Sequence, residues 1–197
     1  VNASSSTVVA GDKVAADELL ATLTAEGVEC RKIVAENASH CAQVEAILPE
    51  LAEHWQSLRP RPARLPFYST VTGTTLAGGE LDAAYWCRNL RQTVRLDLAL
   101  ERLGHDGYGV FVELSAHPVL VQALTESSAE RGGLVVGSLR RGAGGLEQIH
   151  RMLGVLHAHG HKVQWEQVLA SYGRGLVDLP VCAFQRERYW LPGARPA

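Results

Sequence analysis

The sequence has few cysteines and few aromatic residues, and it carries no excess of charge of either sign. Its 197 residues include 4 Cys and 6% aromatic residues, and 19 basic residues balance 21 acidic ones, for a formal net charge of −2. Recognition of nucleic acid requires a clustered basic face, which this balance does not supply. We therefore expect no nucleic-acid partner.

Long hydrophobic runs are also missing. No apolar stretch approaches the roughly 20 residues that a membrane-spanning helix needs, so we expect no membrane segment. The chain begins Val-Asn-Ala-Ser, without Met, a basic start or an apolar signal core. This beginning indicates a piece of a longer polypeptide.

The cysteines are spread widely, and no CxxC pair occurs to suggest a metal or redox site. Scattered thiols are typical of a reducing compartment, and we expect a cytoplasmic protein. The four positions are Cys30, Cys41, Cys87 and Cys182.

The first 34 residues show a strand, helix and strand pattern. Residues 5–10 and 28–34 are each predicted as a short strand, and between them apolar residues recur at helical spacing from about residue 12 to Gly27. This β-α-β unit is half of a ferredoxin-like module, whose other half we expect upstream.

A helical stripe of apolar residues follows Ser39, which we predict as the N-cap. It extends to Leu58, and Pro49 inside it predicts either a kink or a division into two helices. His40 falls in the predicted first turn. A lone histidine there is more often structural than catalytic, so position alone leaves both interpretations open.

Alternating strands and helices then continue to about residue 159. Predicted strands cover residues 67–71, 109–114 and 134–138, with helices over 85–90, 95–103, 119–130 and 146–159. This order predicts an α/β fold with a parallel sheet. From residue 176 onward the pattern changes to an extended segment with prolines and aromatic residues.

Five sequence blocks together resemble the acyltransferase domains of modular polyketide synthases and the related bacterial malonyl-CoA:acyl-carrier-protein transacylases. The blocks, in the same order as in that family, are residues 37–45 (NASHCAQVE), 67–73 (FYSTVTG), 85–92 (YWCRNLRQ), 110–120 (VFVELSAHPVL) and 183–191 (AFQRERYWL). Any one block is weak evidence, but five in order span nearly the whole chain.

The resemblance implies a domain organisation. Residues 1–36 would form the second half of a ferredoxin-like α+β small subdomain. Residues 37–160 would form the C-terminal part of an α/β-hydrolase-like acyltransferase subdomain, and residues 161–197 a C-terminal segment with the linker that follows the acyltransferase and packs on a ketosynthase.

The same resemblance implies a catalytic role for His40. In the family, a histidine acts as general base for a serine that takes an acyl group from coenzyme A and passes it to the phosphopantetheine thiol of an acyl carrier protein. No cofactor is expected within the chain itself. A backbone carbonyl orients the histidine, and the matching position here is Asn89.

The sequence departs from the family in lacking the serine. No G-x-S-x-G motif occurs among its residues. The serine and the arginine that pairs with the acyl carboxylate are expected in an upstream, N-terminal half of the same acyltransferase. A non-catalytic role, as a structural or docking part of a megasynthase, is therefore the alternative to an acyltransferase.

Substrate choice is predicted at the residues before His40. In this family, Tyr-Ala-Ser-His accompanies methylmalonyl groups and His-Ala-Phe-His accompanies malonyl groups. Ala38 and Ser39 follow the first type, whereas Asn37 fits neither, so a methylmalonyl-like group, an unusual extender or a starter group is expected. Asn2 matches an asparagine that borders the acyl pocket in the bacterial enzymes.

Overall fold

The computed structural model describes residues 1–33, 39–173, 178–181, 183, 185 and 187. Helices predominate in this part of the chain. The α-helices are α1 (Lys13–Ala25), α2 (Leu48–His54), α3 (Ala83–Arg91), α4 (Leu96–His105), α5 (Val121–Ser128), α6 (Leu146–Ala158) and α7 (Trp165–Val168). The strands are β1 (Phe67–Tyr68), β2 (Thr75–Leu76), β3 (Val110–Glu113) and β4 (Leu134–Gly137), and 3₁₀ helices cover Ala42–Ile47, Ala129–Arg131 and Ala170–Tyr172.

A parallel pair of strands confirms the α/β class. β3 and β4 run parallel from the pair Val110–Leu134 to the pair Glu113–Gly137, and α5 is the connection between them. Two parallel neighbours require such a crossover, which the alternating sequence pattern predicted. α5 and α6 pack against β4, and α4 packs against α5.

The apolar core lies between these helices and the parallel pair. It consists of small and medium-sized side chains from α4, α5 and β4. The buried members are Ala99, Leu100, Ala123, Leu124 and Val136. Each buried apolar side chain of the size of Leu or Val contributes about 1.5–3 kcal/mol relative to an exposed one.

A buried carboxylate closes the carboxyl end of β3. Glu113, 9% exposed, accepts hydrogen bonds from the backbone N–H groups of Val119 and Leu120, at 2.9 Å each, and from Ser115 Oγ at 3.0 Å. Desolvation raises the pKa of Glu113, but these donors together outweigh it, and the pKa lies below its usual value. The carboxylate thereby fixes the loop that leads into α5.

The β-α-β prediction for the N-terminal region is correct only for its helix. α1 begins after Asp12, whose Oδ1 accepts from the backbone N–H of Val14 at 2.9 Å. Residues 5–10 and 28–33 form no strand. A strand needs a series of hydrogen bonds to a neighbouring strand, and within the described residues these two segments make only a single bridge, between Ser6 and Ala3. Val8 and Val9 are 55% and 63% exposed. The remaining residues of this region, 34–36, lie outside the described part.

The single long helix predicted after Ser39 is divided in two. The 3₁₀ helix Ala42–Ile47 comes first, and α2 follows with Pro49 in its first turn. A proline has no N–H to donate, so it fits a helix start better than a helix interior. Ser39 is not the N-cap, since Cys41 holds that position with an extended backbone. The alternative of a division at Pro49 is therefore the correct one.

The other predicted elements are found close to their expected positions. β3, β4, α3, α4, α5 and α6 agree with the sequence pattern within a few residues, and the strand predicted over residues 67–71 is shortened to β1. β2, α7 and the last 3₁₀ helix were not predicted. Within the described residues, no helix is long and apolar enough to span a membrane.

Replacing Glu113 by Gln should destabilise the protein in a pH-dependent manner. A carboxylate with a lowered pKa stabilises the fold above the pKa of the unfolded state, near 4.5, and this contribution is lost as pH falls through the lower folded pKa. We expect Glu113→Gln to cost about 1–3 kcal/mol at pH 7, and less below pH 4. Urea denaturation at both pH values measures the difference. Glu130→Gln, at an exposed position, is the control, and equal losses at both pH values would contradict the assignment.

Candidate active site

His40 has an unusual backbone conformation. Its φ is +60°, and among the described residues other than glycine it alone has a positive φ. The next residue, Cys41, is extended, with φ −142° and ψ 177°. His40 therefore projects from a bend before the 3₁₀ helix rather than from a helical turn. Non-glycine residues in this region of φ are uncommon, and they persist where surrounding contacts hold them.

The carboxyl end of α3 supplies two of those contacts. The backbone N–H of His40 donates to the carbonyl of Leu90 at 2.8 Å, and the ring Nδ1 lies 3.0 Å from the carbonyl oxygen of Gln92. The last carbonyls of a helix have no partner within the helix, so they are available as acceptors. One carbonyl fixes the position of the His40 backbone, and the other orients its ring.

The contact with Gln92 determines which ring nitrogen of His40 is basic. A carbonyl oxygen only accepts hydrogen bonds, so Nδ1 must carry the proton and donate it. In the neutral ring, Nε2 then has the free lone pair and is the nitrogen that can take a proton from a neighbouring group. The ring is half-buried, so it is not enclosed in the packed interior.

The structure corrects the expectation for Asn89. The orienting carbonyl is that of Gln92, three residues later. Asn89 lies within α3, where carbonyls point along the helix axis, whereas Gln92 is the C-cap and has left the helical conformation with ψ 161°. Its carbonyl is therefore free to turn toward His40. A sequence prediction that placed the end of the helix at residue 91 would have included Gln92 among several candidate carbonyls, without selecting it.

A group of hydrogen bonds around Tyr85 holds α3 in place. The side chains of Tyr85 and Ser69 are fully buried, and their hydroxyl oxygens lie 2.8 Å apart. Ser69 Oγ also accepts from the backbone N–H groups of Val71 and Thr72, at 3.2 Å each. At the N-terminus of α3, the side chain of Asp82 accepts a hydrogen bond from the backbone N–H of Tyr85 at 2.8 Å. These bonds fix the helix whose far end orients His40.

Asn2 lies beside the segment that follows Gln92. The backbone of Val1 donates to the carbonyl of Val94 at 2.7 Å and accepts from the N–H of Leu96 at 3.1 Å. Asn2 itself is half-buried, and its N–H donates to the carbonyl of Ser6 at 2.9 Å. Val1, the residue before Asn2, therefore pairs with Val94 and Leu96, which follow Gln92 along the chain.

The residues predicted to select the acyl group are only partly described. Ser39 directly precedes His40 and is half-buried. Asn37 and Ala38 lie outside the described residues. No group of three or more His, Cys, Asp or Glu side chains in the described part of the chain is placed to hold a metal ion.

Comparison with known proteins decides the family. The sequence profile described as "Acyl transferase domain" matches residues 1–163, which is most of the chain. The chain belongs to the acyltransferase family. The relatives and solved structures below, together with this match, confirm its resemblance to the acyltransferases of modular polyketide synthases.

Curated relatives of this acyltransferase chain include polyketide synthases. It is 47% identical over 197 residues to polyketide synthase GfsE of Streptomyces halstedii, covering 99% of this chain and 5% of the relative. It is 43% identical over 201 residues to erythronolide synthase EryA2 of Saccharopolyspora erythraea, covering 100% of this chain and 6% of the relative. The chain thus spans a small fraction of the length of these proteins.

Solved structures of acyltransferases share its fold. One is the acyltransferase domain from module 8 of the salinomycin polyketide synthase, with a TM-score of 0.76 and 43% identity, over 79% of this chain and 37% of that one. Another is a loading acyltransferase from the avermectin modular polyketide synthase, with a TM-score of 0.70 and 39% identity, over 75% of this chain and 46% of that one. The chain corresponds to less than half of each.

Tyr85→Phe should destabilise the acyltransferase by about 1–2 kcal/mol, because it leaves the fully buried Ser69 hydroxyl without its phenol partner. The matched control is Tyr172→Phe, at a position that is 61% exposed. Chemical denaturation of both variants measures the difference. Equal stability of the two would show that the buried hydroxyl pair does not hold α3.

Proposed function

We propose that His40 is the general base of an acyl-CoA:acyl-carrier-protein acyltransferase within a modular polyketide synthase. The observation that carries this proposal is the hydrogen bond from Nδ1 to the carbonyl of Gln92, 3.0 Å long, which leaves Nε2 as the basic nitrogen. A histidine fixed in one tautomer and half-exposed is suited to proton transfer. Membership of the acyltransferase family supplies the reaction class.

The reaction would proceed in two displacements. His40 Nε2 takes the proton from a serine hydroxyl that this chain does not contain, and the serine oxygen attacks the thioester carbonyl of an acyl-CoA. The C–S bond breaks, and the coenzyme A thiolate leaves with the proton from His40. In the second step, the phosphopantetheine thiol of an acyl carrier protein gives its proton to His40 and attacks the acyl-serine. The serine oxygen leaves and recovers that proton.

The proposal includes the partners of the chain. The serine and the arginine for the acyl carboxylate would come from an N-terminal half of the same acyltransferase, which also completes the fold. The acyl carrier protein delivers the accepting thiol, and a ketosynthase with its linker packs nearby. The relatives are polyketide synthases many times longer than this chain, which supports a multidomain setting. Phosphopantetheine and coenzyme A remain substrates here, and the cytoplasmic location remains a prediction.

Selection of the acyl group is proposed for Asn37, Ala38, Ser39 and Asn2. Ser39 is adjacent to His40 in sequence, and Asn2 follows Val1, which pairs with Val94 and Leu96 just beyond Gln92. A small side chain at Ser39 leaves room for a substituent on the acyl group. Asn37 replaces an aromatic ring with an amide, which favours a wider and more polar pocket.

A non-catalytic docking role is the less favoured alternative. The relatives and the structural neighbours are acyltransferase-bearing synthases and acyltransferase domains, rather than scaffold proteins. A docking part would also have no need of a histidine in a left-handed conformation with an oriented ring. The contacts of His40 with Leu90 and Gln92 therefore favour catalysis.

His40→Ala in the complete acyltransferase should slow formation of the acyl-enzyme from acyl-CoA by at least about a hundredfold, the usual effect of losing a general base. Single-turnover labelling of the serine with radioactive acyl-CoA measures the rate. His117→Ala is the control, because that residue is exposed and its ring accepts from the backbone N–H of Arg141, at 3.3 Å. Undiminished labelling of the His40 variant would refute its role as base.

Asn37→Tyr should shift the preference of the complete acyltransferase toward methylmalonyl-CoA, because the aromatic ring restores the methylmalonyl tetrapeptide of the family. Competition among malonyl-, methylmalonyl- and larger acyl-CoA substrates, read as the ratio of kcat/KM values, measures the shift. Asn37→Gln, which retains the amide, is the matched control. An unchanged profile in the tyrosine variant would show that Asn37 does not select the acyl group.

A further inference from the structure

Three consecutive residues at the end of α3 hold the segment that carries His40. Leu90 accepts from the His40 backbone, and Gln92 contacts the His40 ring. Arg91, between them, donates from Nε to Oε1 of Glu45 at 2.6 Å. Glu45 lies in the 3₁₀ helix that begins two residues after His40. The ion pair therefore joins the two chain segments at the point where the ring is oriented.

The bend at His40 depends on such contacts, because it has no regular secondary structure of its own. The backbone bond to Leu90 fixes one point, but rotation about that point would move the ring relative to the Gln92 carbonyl. The Glu45–Arg91 pair supplies a second fixed point, five residues along the chain. Two fixed points on one short segment restrict that rotation.

The charges are also placed favourably within their own elements. Arg91 is in the last turn of α3, where a cation is favoured by the helix dipole, and Glu45 is in the first turn of its 3₁₀ helix. The two side chains are 38% and 56% exposed, so the pair contributes little to global stability. Its geometric effect on His40 can therefore be separated from any effect on folding.

We infer that Glu45 and Arg91 are positioning residues that keep the His40 ring against the Gln92 carbonyl. Their role does not require contact with the substrate. The inference rests on the proposed function of His40. Displacement of a catalytic group by about 1 Å costs up to a hundredfold in rate. Loss of an exposed pair allows a smaller displacement, so we expect a loss of about tenfold in kcat with KM for acyl-CoA unchanged.

The experiment uses four variants of the complete acyltransferase: Glu45→Gln, Arg91→Gln, the double variant that combines these two, and an exchanged pair. The exchanged pair carries Glu45→Arg and Arg91→Glu together. Each single variant should lose about tenfold in kcat, and the double variant should lose no more than either single one. The exchanged pair should recover kcat relative to the single variants. Glu147→Gln, which breaks the exposed Glu147–Arg151 pair on α6, is the matched control and should retain full kcat.

Several outcomes would overturn the inference. These are single variants that behave like the Glu147 control, losses that multiply in the double variant, or a change confined to KM. His40→Ala, measured in parallel, separates this failure from failure of the proposed function. If His40→Ala abolishes acyl-enzyme formation while the Glu45 and Arg91 variants are unaffected, only the positioning role is wrong. If His40→Ala is fully active, the proposed function itself is wrong.

Discussion

The unpaired carbonyls at the carboxyl end of α3 are the constraint on which the site depends. A helix leaves its last carbonyls without internal partners, and in this chain two of the outgoing carbonyls, those of Leu90 and Gln92, face the bend at His40. They accept one hydrogen bond from the backbone and one from the ring. The carbonyls that the end of α3 leaves without helical partners therefore determine which tautomer the His40 ring adopts.

The position of His40 is fixed only if α3 itself is fixed. Contacts along the length of α3 hold the helix in place. Tyr85 and Ser69 join it to the turn after β1 through buried hydroxyl groups, and Asp82 caps its N-terminus. Trp86 Nε1 donates to the carbonyl of Leu81 at 3.0 Å, and Cys87 Sγ contacts the carbonyl of Leu48 at 3.9 Å. The site therefore rests on a helix that is fixed at its start, on its buried face and against α2.

Sequence reasoning succeeded where structure is determined locally. The apolar periodicity of α4 to α6 and the runs that form β3 and β4 sufficed to predict these elements, since their burial follows from their own pattern. It failed for residues 5–10 and 28–33, because strand formation depends on a partner strand that the local sequence does not reveal. The resemblance to a family identified His40, but not the carbonyl that orients it.

The expectation for Asn89 came from the family resemblance, and the one for Ser39 from the pattern of helix capping. The outcome at both positions depends on where a helix ends or begins, and such boundaries depend on tertiary contacts and on backbone angles at the cap. Gln92 is the acceptor because its ψ of 161° takes it out of the helix. Helix existence was predictable from side-chain pattern, whereas the direction of one peptide group was not.

The left-handed backbone at His40 also limits which residues the chain tolerates there. With φ at +60°, a β-branched side chain would clash with its own peptide groups, whereas asparagine and glycine enter this region readily. A His40→Asn substitution therefore removes the imidazole while disturbing the bend least.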